Sequence, residues 1–147
     1  MTERPRSGFT ILELMIVVAI IAIVAAVAIP SLLNSRKAAN EARAIGSLKT
    51  IHAAFEQYRL RFGTYGRLGN LQSAGYIDGF DIIAPARLLS GGYYFNEHFT
   101  SDPNRYRIRA NPDAKGIDGD RYFALWSNGV IRFSSTGLVS GSDSPLD

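Results

Sequence analysis

One carboxylate stands inside an otherwise apolar run. From Phe9 to Ile29 there are 21 residues, and only Thr10 and Glu13 are polar. At 1.5 Å per residue this run makes a helix of about 30 Å, the thickness of a bilayer's hydrocarbon core. A carboxylate at the centre of such a helix costs about 2.5–3.5 kcal/mol, and less near an end. Glu13 lies about one turn in from Phe9, so the interface relieves part of that cost. The remainder points to a partner outside the isolated chain. Gly8 precedes the run, and a cut between Gly8 and Phe9 would give Phe9 a free amine close to Glu13. In a staggered bundle the amine of one copy can meet the carboxylate of the next, pairing two charges that are each expensive alone. The competing reading is a cleavable secretory signal with Ala26-Val27-Ala28 as its site. Such signals have apolar regions of about 7–15 residues. This run is longer and carries a Glu.

The rest of the chain offers little chemistry. There is no Cys, so no disulfide or thiolate, and only two His. The Gly-rich stretch Gly63 to Asn70 lacks the preceding strand and the following Lys-Ser/Thr of a phosphate-binding loop. Asp113, Asp118 and Asp120 cluster before the last strands, but Lys115 interrupts them and no calcium-loop pattern with a distal Glu is present. His52 stands four residues before Glu56, the spacing of a partly exposed His–Glu pair on a helix. Arg105, Arg107 and Arg109 alternate on one strand face, which reads first as a solvated face. The formal charge of +3 is too mild to imply nucleic acid, which is left open as a partner without support. No catalytic residue, cofactor or metal ligand is assigned, and the chain reads as no enzyme.

The elements that must carry Glu13 follow from periodicity. Pro30 removes one backbone hydrogen bond and is expected to bend or loosen the helix there. Beyond it, Ala38, Ala42, Ile45, Leu48, Ile51, Phe55, Tyr58 and Phe62 step by three or four, while Arg36, Lys37, Asn40, Glu41, Arg43, Lys49, Glu56 and Arg59 occupy the opposite face. Gly63 is the expected stop. A loop over 63–91 follows, with one short helical turn from Leu71 to Tyr76 and with Leu68, Leu71, Tyr76 and Ile77 pinning it to the core. Tyr93 to Phe99 and Arg105 to Ala110 read as strands around an Asp102-Pro103-Asn104 turn. Asn128-Gly129 between two apolar runs signals a hairpin. A two-residue turn there pairs Trp126 with Ile131 and Ala124 with Phe133. Tyr122, Ala124, Trp126, Ile131 and Phe133 then face the core, and Leu125 and Arg132 face away. The tail 137–147 is Ser/Gly-rich and reads as loose. The fold class is α+β: a long N-terminal helix, half transmembrane and half amphipathic, packed on an antiparallel sheet of about four strands.

The stretch Gly8, Phe9, Thr10 and Glu13, with Pro30 after the apolar run, resembles the class III leader and N-terminal helix of the type IV pilin family, which includes the pseudopilins of type II secretion. The resemblance is strong over the N-terminal third and looser beyond. It implies a pilin fold, a leader over 1–8, a transmembrane and assembly helix over 9–30, and a globular head over 31–147. Within the head it implies an amphipathic helix 31–62, an αβ-loop 63–91, a sheet 92–136 and a tail 137–147. A prepilin peptidase/methyltransferase would cut between Gly8 and Phe9 and methylate the Phe9 amine, Glu13 would guide assembly, and Pro30 would mark the kink. The implied partners are that enzyme, other pilin subunits in a helical homo- or hetero-polymer, and an inner-membrane assembly platform. The implied course is single-pass insertion in a bacterial inner membrane, then an extracellular pilus serving motility, adhesion or DNA uptake. The alternative is a periplasmic pseudopilus acting in protein export. Some major pseudopilins bind calcium in a C-terminal loop, and many pilins close that end with a disulfide. This chain has no Cys to do so.

Overall fold

The computed structural model describes residues 8–84, 87–100, 102 and 104–146. The leader up to Ser7, Pro103 of the expected turn and the terminal Asp147 lie outside them. The chain divides after Ser35 into two compact units.

Helix α1 spans Ile11–Phe62 and runs unbroken through Pro30. In the first unit every large apolar side chain from Phe9 to Leu33 is at least 47 % exposed. In the second unit α1 is a helix with one buried face. Glu41, Ala44, Leu48, Ile51, Ala54 and Phe55 are buried, stepping by three or four as far as Ala54, with Phe55 beside it and four beyond Ile51. This face departs from the expected stripe at its start, where Ala38 and Ala42 are exposed and Glu41 and Ala44 are covered. The helix ends where expected: Gly63 adopts φ +76° and its N–H donates to the Arg59 carbonyl.

The short helix α2 spans Leu68–Ser73, three residues earlier than the expected turn. Leu68, Leu71 and Ile77 are fully buried and Tyr76 packs against them. The sheet has six strands, not four: β1 Asp81–Ala84, β2 Arg87–Ser90, β3 Tyr93–Phe99, β4 Tyr106–Pro112, β5 Tyr122–Trp126 and β6 Ile131–Ser134. All pair antiparallel in chain order. The two additional strands fall inside the stretch read as a loop. Each has four residues, too few to show a period, and Pro85 stands between them in sequence. β3 and β4 alternate cleanly, with Tyr93, Phe95, Tyr106, Ile108 and Ala110 inward. Phe55 stacks on Tyr106 at 4.4 Å between centroids, and Tyr65 meets Tyr106 edge-on. These pairs join helix, loop and sheet in one core.

The last hairpin is slipped by one residue from its expected register. Leu125 pairs with Ile131 and Phe123 with Phe133. The loop holds three residues, closed by Gly129 N–H to the Trp126 carbonyl and Trp126 N–H to the Val130 carbonyl, with Gly129 at φ +80°. That is a type I turn followed by a left-handed residue, and the Gly serves it as well as it would serve a two-residue turn. A one-residue slip exchanges the faces. Phe123, Leu125 and Ile131 therefore enter the core, while Tyr122, Ala124 and Trp126 face outward. The tail is also more ordered than its composition implies. Pro145 bridges Arg132, Leu146 N–H donates to the Ile131 carbonyl, and Val139 is 3 % exposed. It thereby covers the free edge of β6.

Candidate assembly and processing site

The site begins at the helix N-terminus. Thr10 precedes the first helical residue, and its Oγ1 accepts the Glu13 backbone N–H at 3.2 Å. One Glu13 carboxylate oxygen, Oε2, accepts the Thr10 N–H and the Thr10 hydroxyl, each at 2.9 Å. This is a capping box, in which the first and fourth residues of Thr-x-x-Glu satisfy each other's orphan backbone donors. The Thr-x-x-Glu spacing stood in the sequence but was overlooked beside the charge of Glu13. The box holds the carboxylate at the helix start with its other oxygen, Oε1, unpartnered among the described residues. An acid here also opposes the positive end of the helix dipole.

Gly8 and Phe9 are both exposed, and Phe9 is 88 % so. A Cβ placed on Gly8 would meet nothing within 4 Å among the described residues. Nothing in the described fold therefore demands a glycine at this position. Gly66 gives the contrast, because a Cβ there would strike the Tyr58 ring at 2.7 Å. Pro30 is followed within the same unit by Ser35, whose hydroxyl donates to the Ser31 carbonyl at 3.0 Å. Pro30 has no N–H, so the carbonyl four residues earlier lacks its helical donor.

In the second unit two carboxylates missed as structural residues are buried. Glu41, read as part of the solvated face, is 7 % exposed. Its Oε1 accepts the N–H groups of Asp120 and Arg121, and its Oε2 accepts Arg121 Nε at 2.7 Å. The loop before β5 needs an acceptor for two adjacent donors, and the helix supplies it. Glu97, on the inward face of β3, accepts the Leu68 N–H at the start of α2 and meets Arg67 at 3.5 Å. Burial pushes its carboxyl above the ordinary range, partly opposed by the Leu68 N–H and the Arg67 charge.

Two of the aspartates of the 113–120 loop are engaged internally. Asp118 accepts the Ala114 N–H, and Asp120 pairs with Lys37 at 3.3 Å. Among the described residues no three His, Cys, Asp or Glu side chains converge on a point. The expected His52–Glu56 pair is absent. His52 Nδ1 bonds the Tyr106 hydroxyl at 2.5 Å, and Glu56 accepts the Tyr65 hydroxyl at 2.7 Å. Both helix residues reach tyrosines across the core rather than each other.

A membrane-length apolar helix with one capped carboxylate, joined in the chain to an α+β head of one helix face on an antiparallel sheet, defines a helix-anchored subunit class. Residues 4–29 match the family model for the prokaryotic N-terminal methylation motif. The chain is 34 % identical to the type II secretion system core protein G of Vibrio cholerae over 141 residues, covering 95 % of this chain and 92 % of that protein. It is 29 % identical to the core protein G of Pseudomonas aeruginosa over 87 % of this chain and all of that protein. It is 45 % identical to the type IV wide pilus major component PilA4 of Thermus thermophilus over 62 residues, 42 % of this chain and 47 % of that protein. The chain belongs to the family of type IV pilins and type II secretion pseudopilins.

Proposed function

We propose that the chain is a structural subunit of a type IV pilus or pilus-like fibre, with no catalytic role of its own. The supporting observation is the capping box: it fixes Glu13 at the start of a helix whose apolar surface the described chain leaves uncovered. Lipid covers that surface before assembly, and neighbouring helices cover it afterwards. In this reading residues 1–8 are a leader and residues 9–30 the membrane and assembly segment. A prepilin peptidase cuts after Gly8 and methylates Phe9. A glycine that its own fold does not require fits recognition by such an enzyme. The free Phe9 amine of one subunit then reaches the unpartnered oxygen of Glu13 on a neighbour, and Pro30 supplies the point at which the helix yields on packing. The subunit starts as a single-pass inner-membrane protein and leaves through an assembly platform into an extracellular fibre.

The end-to-end likeness to two core protein G chains favours a second reading, a pseudopilin acting in protein export. Electron microscopy of sheared surface material, with its subunits identified by mass spectrometry, separates the two. This chain in long surface fibres supports the pilus. Its absence from them, with retention in the cell envelope, supports the pseudopilus. A mature N-terminus at Ile29 instead of N-methylated Phe9 would refute both.

A further inference from the structure

Two turns flank a cleft at one end of the sheet. One joins β3 to β4 and the other joins β5 to β6. The strands run antiparallel in chain order, so both turns lie at the same end. The start of β4 lies between them. There Arg107 stands opposite His98 on one side and Trp126 on the other, and Ser127 N–H donates to the Tyr106 carbonyl. Arg59, near the end of α1, adds to the lining. The cleft measures about 690 Å³, the size of a small-molecule site.

The charges of the cleft do not balance. Arg59, Arg105 and Arg107 line it against the single carboxylate of Asp102, a surplus of two positive charges. Asp102 is engaged by its own turn: Oδ1 accepts the Asn104 N–H at 2.9 Å, and Oδ2 lies 3.8 Å from Arg105 Nε. Arg59 donates to the Tyr65 hydroxyl, which donates in turn to Glu56, a residue outside the lining. Arg107 is half-buried, and among the described residues no carboxylate pairs with it and its shielded Nε has no hydrogen-bond partner. Burial, with Arg109 nearby, lowers its guanidinium from the ordinary value. His98 supplies no counter-charge, because burial and the charges of Arg109 and Arg107 depress its imidazole and leave it neutral at pH 7. The walls add neutral donors. Asn128 Oδ1 accepts the Val130 N–H, which leaves its amide N–H groups unpartnered among the described residues. Phe99, 36 % exposed, and Trp126 add ring surface.

We propose that this cleft binds a phosphate monoester on a small organic carrier. A half-buried cation without a counter-charge is completed by an anion from outside. A monoester carries about −1.5 to −2 charges at pH 7 and three strong acceptor oxygens. That matches a surplus of two cations and a lining rich in N–H donors. Guanidinium and phosphate meet in charge-assisted, forked hydrogen bonds. A carboxylate or a sulfate ester brings a single charge, and a phosphodiester brings one for each phosphorus. Phe99 and Trp126 give the carrier an apolar surface to rest on. The proposal concerns the head alone and stands whether or not the chain assembles.

The test uses the full chain in neutral detergent and phosphate-free buffer. Trp126 is the chain's single Trp and lines the cleft, so its fluorescence reports occupancy, and isothermal titration calorimetry gives the affinity. The probes are phenyl phosphate, glycerol phosphate, inorganic phosphate, phenyl sulfate and benzoate. The expected result is that the better of the two organic phosphates binds about tenfold or more tighter than the other three classes of probe. Which of the two is better identifies the carrier as ring or polyol. Arg107→Gln should weaken that binding about tenfold or more. Arg105→Gln, on the exposed turn, should weaken it by a smaller factor and carries the test should Arg107→Gln not fold. Far-UV circular dichroism of each variant should match the parent. Lys49→Gln, outside the cleft, should leave binding unchanged. Phenyl sulfate, benzoate or inorganic phosphate binding as tightly as the better ester would overturn the proposal. So would no binding of either ester, or binding that neither arginine variant weakens.

Discussion

The two halves of the chain treat their carboxylates differently. In the second unit Glu41 and Glu97 are buried and are completed by partners distant in sequence: the N–H groups and side chain of Arg121 with Asp120, and the start of α2. In the first unit Glu13 is exposed and its only partner among the described residues is Thr10, three residues away. The same contrast holds for apolar groups, with Leu48, Ile51 and Phe55 fully buried and Phe9 to Leu33 uncovered. A buried polar group must find its partner within the fold. A group left half-satisfied on an uncovered apolar helix is completed by something other than this chain. In the proposed reading the head is a finished fold, and the N-terminal helix is the surface that other subunits cover.

Substitutions in the two regions should separate cleanly, and urea unfolding of the full chain in detergent, followed by the single Trp126, reads the head. Phe55→Ala should cost the head about 3–5 kcal/mol by opening the aromatic core, whereas Leu14→Ala should move the head transition by less than about 0.5 kcal/mol. Comparable losses from both would break the contrast. Glu41→Ala should cost about 3 kcal/mol, because two N–H groups and a guanidinium lose their acceptor together.

At Glu97 the shape of the substitution matters. Glu97→Ala strands the Leu68 N–H and should cost about 1–3 kcal/mol, while Glu97→Gln keeps an acceptor and should cost less. The pH dependence sharpens this. The folded carboxyl lies above its ordinary 4.5, so the folded state retains a proton that the unfolded state has released. Its contribution to stability is complete below 4.5 and falls as pH rises through the raised value. Glu97→Gln should flatten that fall, and an unchanged pH profile would count against burial as its cause. The smallest effect is at the cap: Thr10→Ala should loosen the first turn by about 1 kcal/mol, seen as faster amide exchange near Glu13 with no change in the head.

What the sequence made legible followed the strength of its local signals. The apolar run, the helix over most of its length, the Gly63 stop and the inward alternation of β4 all rest on many residues pointing one way. The failures rest on few. β1 and β2 are too short for periodicity. The hairpin register turned on a single loop residue, since Asn-Gly serves both turn lengths. Glu41 and Glu97 look like surface acids until the fold brings backbone donors to them. At the candidate site, the residue types of Gly8, Phe9 and Glu13 were plain, but the capping box was not drawn from Thr10. It matters because it decides which substitution is informative. Glu13→Ala removes the charge and the cap together. Glu13→Gln removes the charge and preserves the box, since Gln also serves at that position.

The most direct measurement is therefore the yield of sheared fibres, or of the envelope pseudopilus, from cells carrying only Glu13→Gln, alongside the mature N-terminal mass and the head's urea midpoint. The expected result is a subunit cut after Gly8, methylated on Phe9, inserted in the membrane, unchanged in head stability and severely reduced in the fibre. Normal fibre yield from that variant would contradict the account, because it would show that the Glu13 charge is not what another copy completes.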